Sequence, residues 1–132
     1  MPIESKFSVH KFFKCVHCGN LAALIEDKNV PIVCCGEKMT LLVPNSVDAS
    51  NEKHVPAATF AGDKLDVQVG SVPHPMTDDH YITFVYVGCE NGGQRKGLKP
   101  GSEPKAVFSF ADDKPLTVYA YCNLHGLWKV DL

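Results

Sequence analysis

The 132-residue sequence lacks any long apolar run, any basic cluster and any segment with clear helical periodicity. Its longest apolar stretch, Ile82 to Val87, is only as long as a strand, which excludes a transmembrane helix. A net charge of −2 without a run of lysine or arginine gives no support for nucleic-acid binding. The first residues include Glu4 and His10 but no apolar core, so they do not form a secretory signal, and we expect a cytoplasmic, reducing environment.

The composition is that of an ordinary globular protein, with 45% hydrophobic and 21% charged residues. This length suits one core, or a modest domain that carries a small appended module. Six cysteines are present, an even number that would suggest three disulfides in an exported protein. In a reducing compartment, clustered cysteines more often bind metal or carry out redox chemistry. Disulfides are therefore kept as the alternative to a metal site.

Cysteines and histidines are distributed unevenly along the chain, and this asymmetry predicts two domains. Four cysteines lie within residues 15–35, whereas most of the histidines follow residue 53. Residues 1–44 are too few to bury a core, so we expect a metal or a partner to stabilise this module. A polar linker with room for one helical turn continues to about residue 53. The second domain then covers residues 54–132.

The second domain has the signals of short antiparallel strands. The segment KLDVQVG alternates apolar and polar residues, and the segments YITFVYVG, AVFSF, PLTVYAYC and GLWKVDL are apolar and rich in β-branched and aromatic residues. Turn sequences such as AGD, ENGG and DDKP separate these segments. The spacing predicts an all-β protein in which a small metal-bound module precedes an antiparallel β-sandwich.

The first candidate site contains Cys15, Cys18, Cys34 and Cys35. A C-x-x-C-G turn aims two thiolates at one point, with backbone N–H groups directed at the sulfurs. Adjacent residues of a strand point to opposite faces, so Cys34 and Cys35 can bind one ion only if the chain turns there. Gly36 provides the freedom for that turn, and the site should be distorted from a regular tetrahedron. Zinc that merely folds the module is the default on spacing, and a single iron is the other possibility.

The second candidate site consists of five residues that fall at strand ends or in turns: His54, His74, His80, Cys122 and His125. Loops at one end of a sandwich can converge although they are far apart in sequence. Each residue alone would be a solvated histidine or a core cysteine, but five such ligands in one small domain favour a metal site. The sixth cysteine, Cys89, has no histidine nearby and is predicted to be an ordinary cysteine.

Several chemistries use a thiol beside an imidazole. Cysteine–histidine nucleophilic catalysis needs one of each and leaves three histidines unused. A blue copper site usually has an axial methionine, but Leu127 and Trp128 stand where one would follow. A zinc hydrolase site would rarely combine so many neutral donors with a thiolate. Iron accepts both donors, and five ligands leave the sixth octahedral position open, which predicts redox chemistry on a small substrate.

Six motifs along the chain carry a resemblance to a known family: FKCVHCGN, VCCGEKM, DASNEKHVP, GSVPHPMTDDHYI, LKPG and YCNLHGLW. Together they resemble the desulfoferrodoxins, the two-iron superoxide reductases, over essentially the whole chain. The departures are a longer N-terminal lead and variation in the loop ENGGQRKG. Neither departure touches a predicted ligand.

The resemblance implies a desulforedoxin-like, rubredoxin-like module followed by an immunoglobulin-like β-sandwich, usually assembled as a homodimer. It implies two irons per chain: an electron relay and a catalytic ferrous iron that reduces superoxide to hydrogen peroxide in antioxidant detoxification. The relay ligands would be Cys15, Cys18, Cys34 and Cys35, and the catalytic ligands His54, His74, His80 and His125 with Cys122 as the axial thiolate. A rubredoxin-type protein is the implied electron donor, and no nucleic-acid or membrane partner is expected.

Two further residues match the family's EKHVP loop and are implied to be catalytic. Lys53 would attract the anionic substrate, and Glu52 would take the open position after oxidation and help to expel peroxide. Two other hypotheses compete with the enzyme: a zinc-stabilised β-sandwich that acts as a binding module, and a pure electron carrier. Metal content and a visible spectrum separate the zinc protein from the other two, and rapid oxidation by superoxide separates the enzyme from the carrier.

Overall fold

The structure is a computed structural model that describes residues 10–132. Residues 1–9 lie outside the described residues; they include the predicted start of the first module and most of the segment used to argue against a secretory signal. The chain divides into two compact units, with the boundary between Val43 and Pro44. From residue 10 to residue 132, no helix is long and apolar enough to cross a membrane.

The first unit consists of very short strands. A three-stranded antiparallel sheet has the order β2-β1-β5, and a separate hairpin joins β3 to β4. The bounds are β1 (Phe12–Lys14), β2 (Leu21–Ala23), β3 (Val33–Cys34), β4 (Glu37–Lys38) and β5 (Thr40–Leu41). Among residues 10–43 only Phe12 and Cys15 are buried. Apolar burial therefore contributes little to the stability of this unit, as its small size predicts.

The second unit contains one helical turn and seven strands. They are α1 (Asn51–His54), β6 (Pro56–Ala61), β7 (Lys64–Val69), β8 (Ile82–Cys89), β9 (Gly93–Gly97), β10 (Lys105–Ser109), β11 (Pro115–Cys122) and β12 (Gly126–Asp131). One sheet has the order β10-β7-β6 and the other the order β12-β11-β8-β9, with antiparallel pairing throughout. The predicted all-β sandwich is confirmed, and the linker does contain one helical turn.

The core lies between the two sheets and follows the period-two alternation of the strands. Leu65, Val67 and Val69 of β7 pack in one cluster with Val85 and Val87 of β8 and with residues of β10 and β11. Four strands against three is also the arrangement of an immunoglobulin constant-type sandwich. Cys89 is buried in this cluster, as predicted for an ordinary cysteine, and burial raises the pKa of its thiol to about 11.

In the second unit two strands, β6 and β9, were not predicted from the sequence, and in the first unit none of the five short strands was. Strand β6 is made mostly of small residues and is largely exposed, so it carries little apolar periodicity. Strand β9, which continues the ENGG turn, is polar and forms because it pairs with β8 from Gly88↔Gly93 to Phe84↔Gly97. At Gly93 an added Cβ would lie 2.0 Å from the hydroxyl of Tyr86, so a larger residue there would displace the end of this side chain.

Candidate metal centres

The structure brings the four N-terminal cysteines together. Every pair of their sulfur atoms lies within 4.8 Å; the distance from Cys18 Sγ to Cys34 Sγ is 3.6 Å, and that from Cys34 Sγ to Cys35 Sγ is 4.0 Å. Four sulfurs placed 2.3 Å from one ion form a tetrahedron with edges of about 3.8 Å. The spacing therefore fits a single four-coordinate metal ion.

Backbone conformation explains how adjacent cysteines face the same point. Cys35 has φ 53° and Gly36 has φ 77°, so the chain reverses in the left-handed region directly after Cys34. The expected turn is confirmed, and it begins one residue earlier than the glycine. On the other side, the amide of Cys18 donates a hydrogen bond to Cys15 Sγ at 3.4 Å, the contact that the C-x-x-C-G pattern predicts.

Protonation of the four thiols is coupled through their contacts. Hydrogen bonds from the peptide groups of Cys18 and His17 lower the pKa of Cys15 to about 6. Hydrogen bonding with the Cys18 thiol is the main cause that raises the pKa of Cys34, and raises that of Cys35 to about 12. Several thiolates can share so small a space only with a cation to balance them, which is the role of a metal ion in such clusters.

The second cluster gathers residues from four separate segments of the sandwich. His54 ends α1, His74 lies between two prolines, His80 precedes β8, and Cys122 ends β11. One donor atom from each of these four lies within 4.8 Å of the others. His125, in the turn between β11 and β12, joins them through Nδ1, which lies 3.1 Å from His54 Nε2 and 3.8 Å from Cys122 Sγ.

The four imidazole rings form a square. Neighbouring ring centroids are separated by 4.7 Å (His54–His74), 4.7 Å (His74–His80), 5.1 Å (His80–His125) and 4.9 Å (His125–His54). The diagonal from His54 to His80 is 6.4 Å, about 1.3 times the edges; a square requires about 1.4 and a tetrahedron requires 1. Since structural zinc sites are tetrahedral, this arrangement disfavours one and suits a metal with four equatorial nitrogens.

Hydrogen bonds decide which ring nitrogens face the centre of the square. Nδ1 of His54 lies 2.6 Å from the carbonyl oxygen of Ser50, and Nδ1 of His74 lies 2.7 Å from that of Pro75, so both Nδ1 atoms donate. The Nε2 lone pairs of these neutral rings then face one another at 3.2 Å, an unfavourable contact unless a cation lies between them. A square of nitrogens about 2.1 Å from an ion has edges of about 3.0 Å, so the donor set fits a metal.

Burial keeps His54, His74 and His80 in the neutral form that binds metal. Desolvation lowers the pKa of His54 and His80, and it lowers that of His74 to about 4, so these rings are neutral at pH 7. Nε2 of His80 is buried and has no hydrogen-bond partner within residues 10–132. A buried polar atom without a partner is costly, and coordination to a metal would satisfy it.

Cys122 is fully buried beside the square. Burial raises the pKa of its thiol, while the N–H groups of Leu124 and His125 act in the opposite direction. The amide of His125 points at Cys122 Sγ from 3.4 Å. A buried thiol of this kind ionises readily only next to a positive charge, so the sulfur and the four imidazoles share the same requirement for a metal ion.

Trp128 supports the cluster and was not singled out as a site residue from the sequence. Its ring stacks on His54, with centroids 4.8 Å apart, and its Nε1–H donates to the carbonyl oxygen of His125 at 3.0 Å. Trp128 is 1% exposed, so it shields this side of His54 from water. In the sequence, only its position three residues after His125 in the YCNLHGLW motif indicated that Trp128 could lie at the site.

Glu52 and Lys53 lie on α1 immediately before His54, and both are exposed whereas His54 is buried. The turn that carries them packs tightly against the end of β7. The carbonyl oxygen of Glu52 accepts the amide hydrogen of Val72 at 2.9 Å, and an added Cβ at Gly70 would lie 2.2 Å from that oxygen. Backbone contacts therefore fix the α1 turn, while Glu52 and Lys53 themselves are exposed.

Comparisons with known sequences match one protein family along nearly the whole chain. A family model described as "Desulfoferrodoxin" matches residues 46–131, and one described as "Desulfoferrodoxin, N-terminal domain" matches residues 8–42. A desulfoferrodoxin homologue of Archaeoglobus fulgidus is 43% identical over 121 residues, which cover 92% of this chain and 96% of the homologue. A superoxide reductase of Pyrococcus horikoshii is 39% identical over 102 residues, covering 64% of this chain and 89% of its own.

Solved structures give the same result for the fold. The crystal structure of the superoxide reductase from Treponema pallidum superimposes with a TM-score of 0.79 and 34% identity, covering 93% of this chain and 99% of its own. A one-iron superoxide reductase from Giardia intestinalis covers 61% of this chain and 99% of its own, with a TM-score of 0.52 and 36% identity.

Proposed function

The chain belongs to the desulfoferrodoxin family, and on that premise we propose that it is a superoxide reductase with two iron ions per chain. The observation that carries the proposal is the square of four imidazoles beside the buried thiol of Cys122. Four nitrogens and one sulfur suit iron and leave one octahedral position for a small substrate. Relatives named superoxide reductase support the choice of substrate.

The two clusters would divide the work between them. In the module of residues 1–44, Cys15, Cys18, Cys34 and Cys35 would hold one iron, which would serve as an electron relay. In the domain of residues 54–132, which follows the linker, His54, His74, His80, His125 and Cys122 would hold the second iron.

Ferrous iron bound in the second cluster would provide the single electron that, with two protons, converts superoxide to hydrogen peroxide. The residues of the chain prepare the site for this chemistry. The carbonyl groups of Ser50 and Pro75 hold the rings of His54 and His74 in the required tautomer. Desolvation lowers the pKa of His54, His74 and His80, which keeps these three rings neutral, and the Cys122 sulfur would supply electron density to a bound metal.

Glu52 and Lys53 are proposed to act on substrate and product at the mouth of the site. Lys53 is an exposed cation next to His54, where it would raise the local concentration of an anion that approaches from solvent. The Glu52 carboxylate would compete with peroxide for the open side of the oxidised centre. If the visible spectrum of oxidised Glu52→Ala and its pH dependence match those of the unsubstituted protein, this role for Glu52 is wrong.

We further propose a homodimer, a rubredoxin-type electron donor and a cytoplasmic location, in keeping with a role in superoxide detoxification. None of the six cysteines forms a disulfide, and thiolate ligands persist most readily in a reducing compartment. A one-electron carrier protein is the class of donor that suits a substrate that takes up one electron.

Metal analysis combined with a visible spectrum tests the proposal against its two competitors. The protein should contain two irons per chain and show thiolate-to-ferric absorption bands that disappear on reduction. Under a steady flux of superoxide, the reduced protein should then lose its electrons to superoxide rather than retain them. Colourless protein that contains zinc would support the binding module, and iron that superoxide fails to oxidise would support the electron carrier.

A further inference from the structure

Asn123, the residue after Cys122, hydrogen-bonds on both sides of His80. Its side-chain Oδ1 accepts the amide hydrogen of Tyr81 at 2.9 Å, and its Nδ2 donates to the carbonyl oxygen of Asp79 at 3.0 Å. The amide of Asn123 also donates to the carbonyl oxygen of Tyr81 at 3.2 Å. Three hydrogen bonds therefore join the turn that carries Cys122 and His125 to the two residues that flank His80.

These bonds occur where the ladder between β8 and β11 becomes irregular. Tyr121 pairs with Phe84, but the next residue, Cys122, pairs with Ile82, so Thr83 is left as an extra residue on β8. Regular pairing ends at Ile82, and the Asn123 side chain supplies the next contact between the two segments. An asparagine is well suited to this position because its amide offers one acceptor and one donor to a backbone.

Thr77 forms hydrogen bonds with the backbone of His80 itself. The Thr77 hydroxyl accepts the amide hydrogen of His80 at 3.1 Å and donates to the His80 carbonyl oxygen at 3.2 Å. The amide of Thr77 also donates to this carbonyl oxygen, at 2.9 Å. Hydrogen bonds therefore fix the backbone of His80 and of the two residues next to it in the chain.

His80 differs from two other histidines of the square, His54 and His74. His54 and His74 each have a ring nitrogen bound to a backbone carbonyl, which orients the ring directly. For His80, the anchors that the structure provides act on the backbone, and its buried Nε2 has no partner within residues 10–132. The orientation of this ring depends on where its backbone lies relative to Cys122 and His125, and Asn123 fixes that relation.

We propose that Asn123 is a positioning residue of the second metal site, which couples His80 to the turn carrying Cys122 and His125. The inference rests on the proposed function, because it assigns a role toward the metal that these residues would hold. Asn123 touches neither metal nor substrate in this role. It acts through the placement of a ligand, and partners of that kind typically contribute roughly 10–100-fold to metal affinity.

The test compares ferrous iron binding by full-length variants under anaerobic conditions, in competition with a chelator of known affinity. In Asn123→Ala both side-chain hydrogen bonds are lost, and the dissociation constant of the second site should rise by roughly 10–100-fold. Asn123→Asp keeps the acceptor for Tyr81 but places a carboxylate oxygen against the carbonyl oxygen of Asp79, so it should also weaken binding. Iron at the four-cysteine cluster provides an internal reference that should not change.

Asn45→Gly is the matched control. The Asn45 side chain also bridges a backbone, accepting from the Lys129 amide at 2.8 Å and donating to the Lys129 carbonyl at 3.1 Å, but it holds no ligand residue. Glycine tolerates the φ of 59° at this position. This variant should be destabilised to heat yet bind iron as the unsubstituted protein does.

Iron affinity within about twofold of the unsubstituted protein in Asn123→Ala would overturn the inference, as would an equal loss of affinity in Asn45→Gly. If Asn123→Ala does not fold, Asn123→Asp decides in the same way: weaker binding supports the role and unchanged binding refutes it. An unsubstituted protein that takes no iron at the second site contradicts the proposed function itself, so the two failures are distinguishable.

Discussion

At the scale of single residues, one hydrogen bond decides what a histidine offers to a metal. The carbonyl groups of Ser50 and Pro75 occupy Nδ1 of His54 and His74, so Nε2 of each ring is left to face the centre. The turn geometry at His125 has the opposite result, because its Nδ1 faces His54 and Cys122. Because their hydrogen-bond partners differ, His54 and His74 direct Nε2 toward the cluster, whereas His125 directs Nδ1.

Lys53→Ala should slow the reaction with superoxide at low ionic strength. Removing one positive charge next to His54 weakens the attraction of an anion, and the difference from the unsubstituted protein should shrink as salt is added. The measurement is the second-order rate constant for oxidation of the reduced second site at several ionic strengths.

Lys64→Ala is the charge-matched control for this prediction. Lys64 is exposed at the opposite end of β7 from Gly70, roughly 20 Å away along the strand at about 3.3 Å per residue. Its loss changes the net charge by the same amount and should leave the rate nearly unaltered. Equal rates for Lys53→Ala and the unsubstituted protein at low salt would remove the steering role.

At the scale of elements, the ends of strands build the second site. Cys122 ends β11, His80 precedes β8, and α1 delivers His54 through a turn packed on the end of β7. The strands themselves form a dry core, with Val69, Ile82 and Cys122 fully buried, and that core fixes the positions of these ends. A site made of strand ends and turns depends on close backbone contacts, and Gly70 provides the tightest one.

Gly70→Ala should displace the α1 turn and lower the iron content of the second site. An added Cβ would lie 2.2 Å from the carbonyl oxygen of Glu52 and 2.7 Å from Cα of Lys53, so the backbone that carries His54 has to move. Iron analysis of the purified variant measures the loss, and the four-cysteine cluster should stay full.

Gly92→Ala provides the comparison for Gly70→Ala, since an added Cβ at Gly92 meets nothing within 4 Å. This variant should retain both irons. If Gly70→Ala also retains both, the turn is more tolerant than its packing indicates and the described coupling between β7 and α1 is wrong.

Sequence patterns predicted which residues cluster because metal chemistry restricts residue type and spacing. All nine cysteines and histidines proposed as ligands fall into the two clusters that the structure shows, and the turn after Cys34 was predicted from the geometry of adjacent residues. The strand β9 was missed because a polar edge strand is specified by its partner and not by its own residues.

The anchors of the ligands could not be predicted in the same way. The carbonyl groups of Ser50 and Pro75 belong to residues whose side chains carry no signal for this role. The close approach at Gly70 depends on the packing of two segments that are about twenty residues apart in sequence. Such contacts are properties of the folded chain, and only tertiary structure reveals them.

At the scale of the whole molecule, the two units differ in what stabilises them. Residues 44–132 surround an apolar core between two sheets, whereas residues 10–43 bury only Phe12 and Cys15. Several apolar side chains of the smaller unit are exposed, among them Ile25 and Val30. The four-thiolate metal must therefore supply most of the stability of this unit, as in other small metal-bound modules.

Cys18→Ser should unfold the first unit and leave the second intact. Loss of one thiolate weakens metal binding, and without the metal too little apolar surface is buried to keep residues 10–43 ordered. Amide hydrogen exchange, followed by mass spectrometry, should show lost protection in residues 10–43 and normal protection in β8 and β11. As a control, His80→Ala should leave exchange in residues 10–43 unchanged, and persistent protection there in Cys18→Ser would contradict the prediction.

The most direct test of the central claim is a pulse of superoxide delivered to the reduced protein, with oxidation of the second site and the yield of products recorded together. The proposed reaction predicts that the oxidation rate rises in proportion to superoxide concentration, and that each superoxide consumed yields one hydrogen peroxide without dioxygen. A site that stays reduced during the pulse would contradict the assignment. So would the formation of one dioxygen for every hydrogen peroxide, since that ratio is the signature of dismutation and not of reduction.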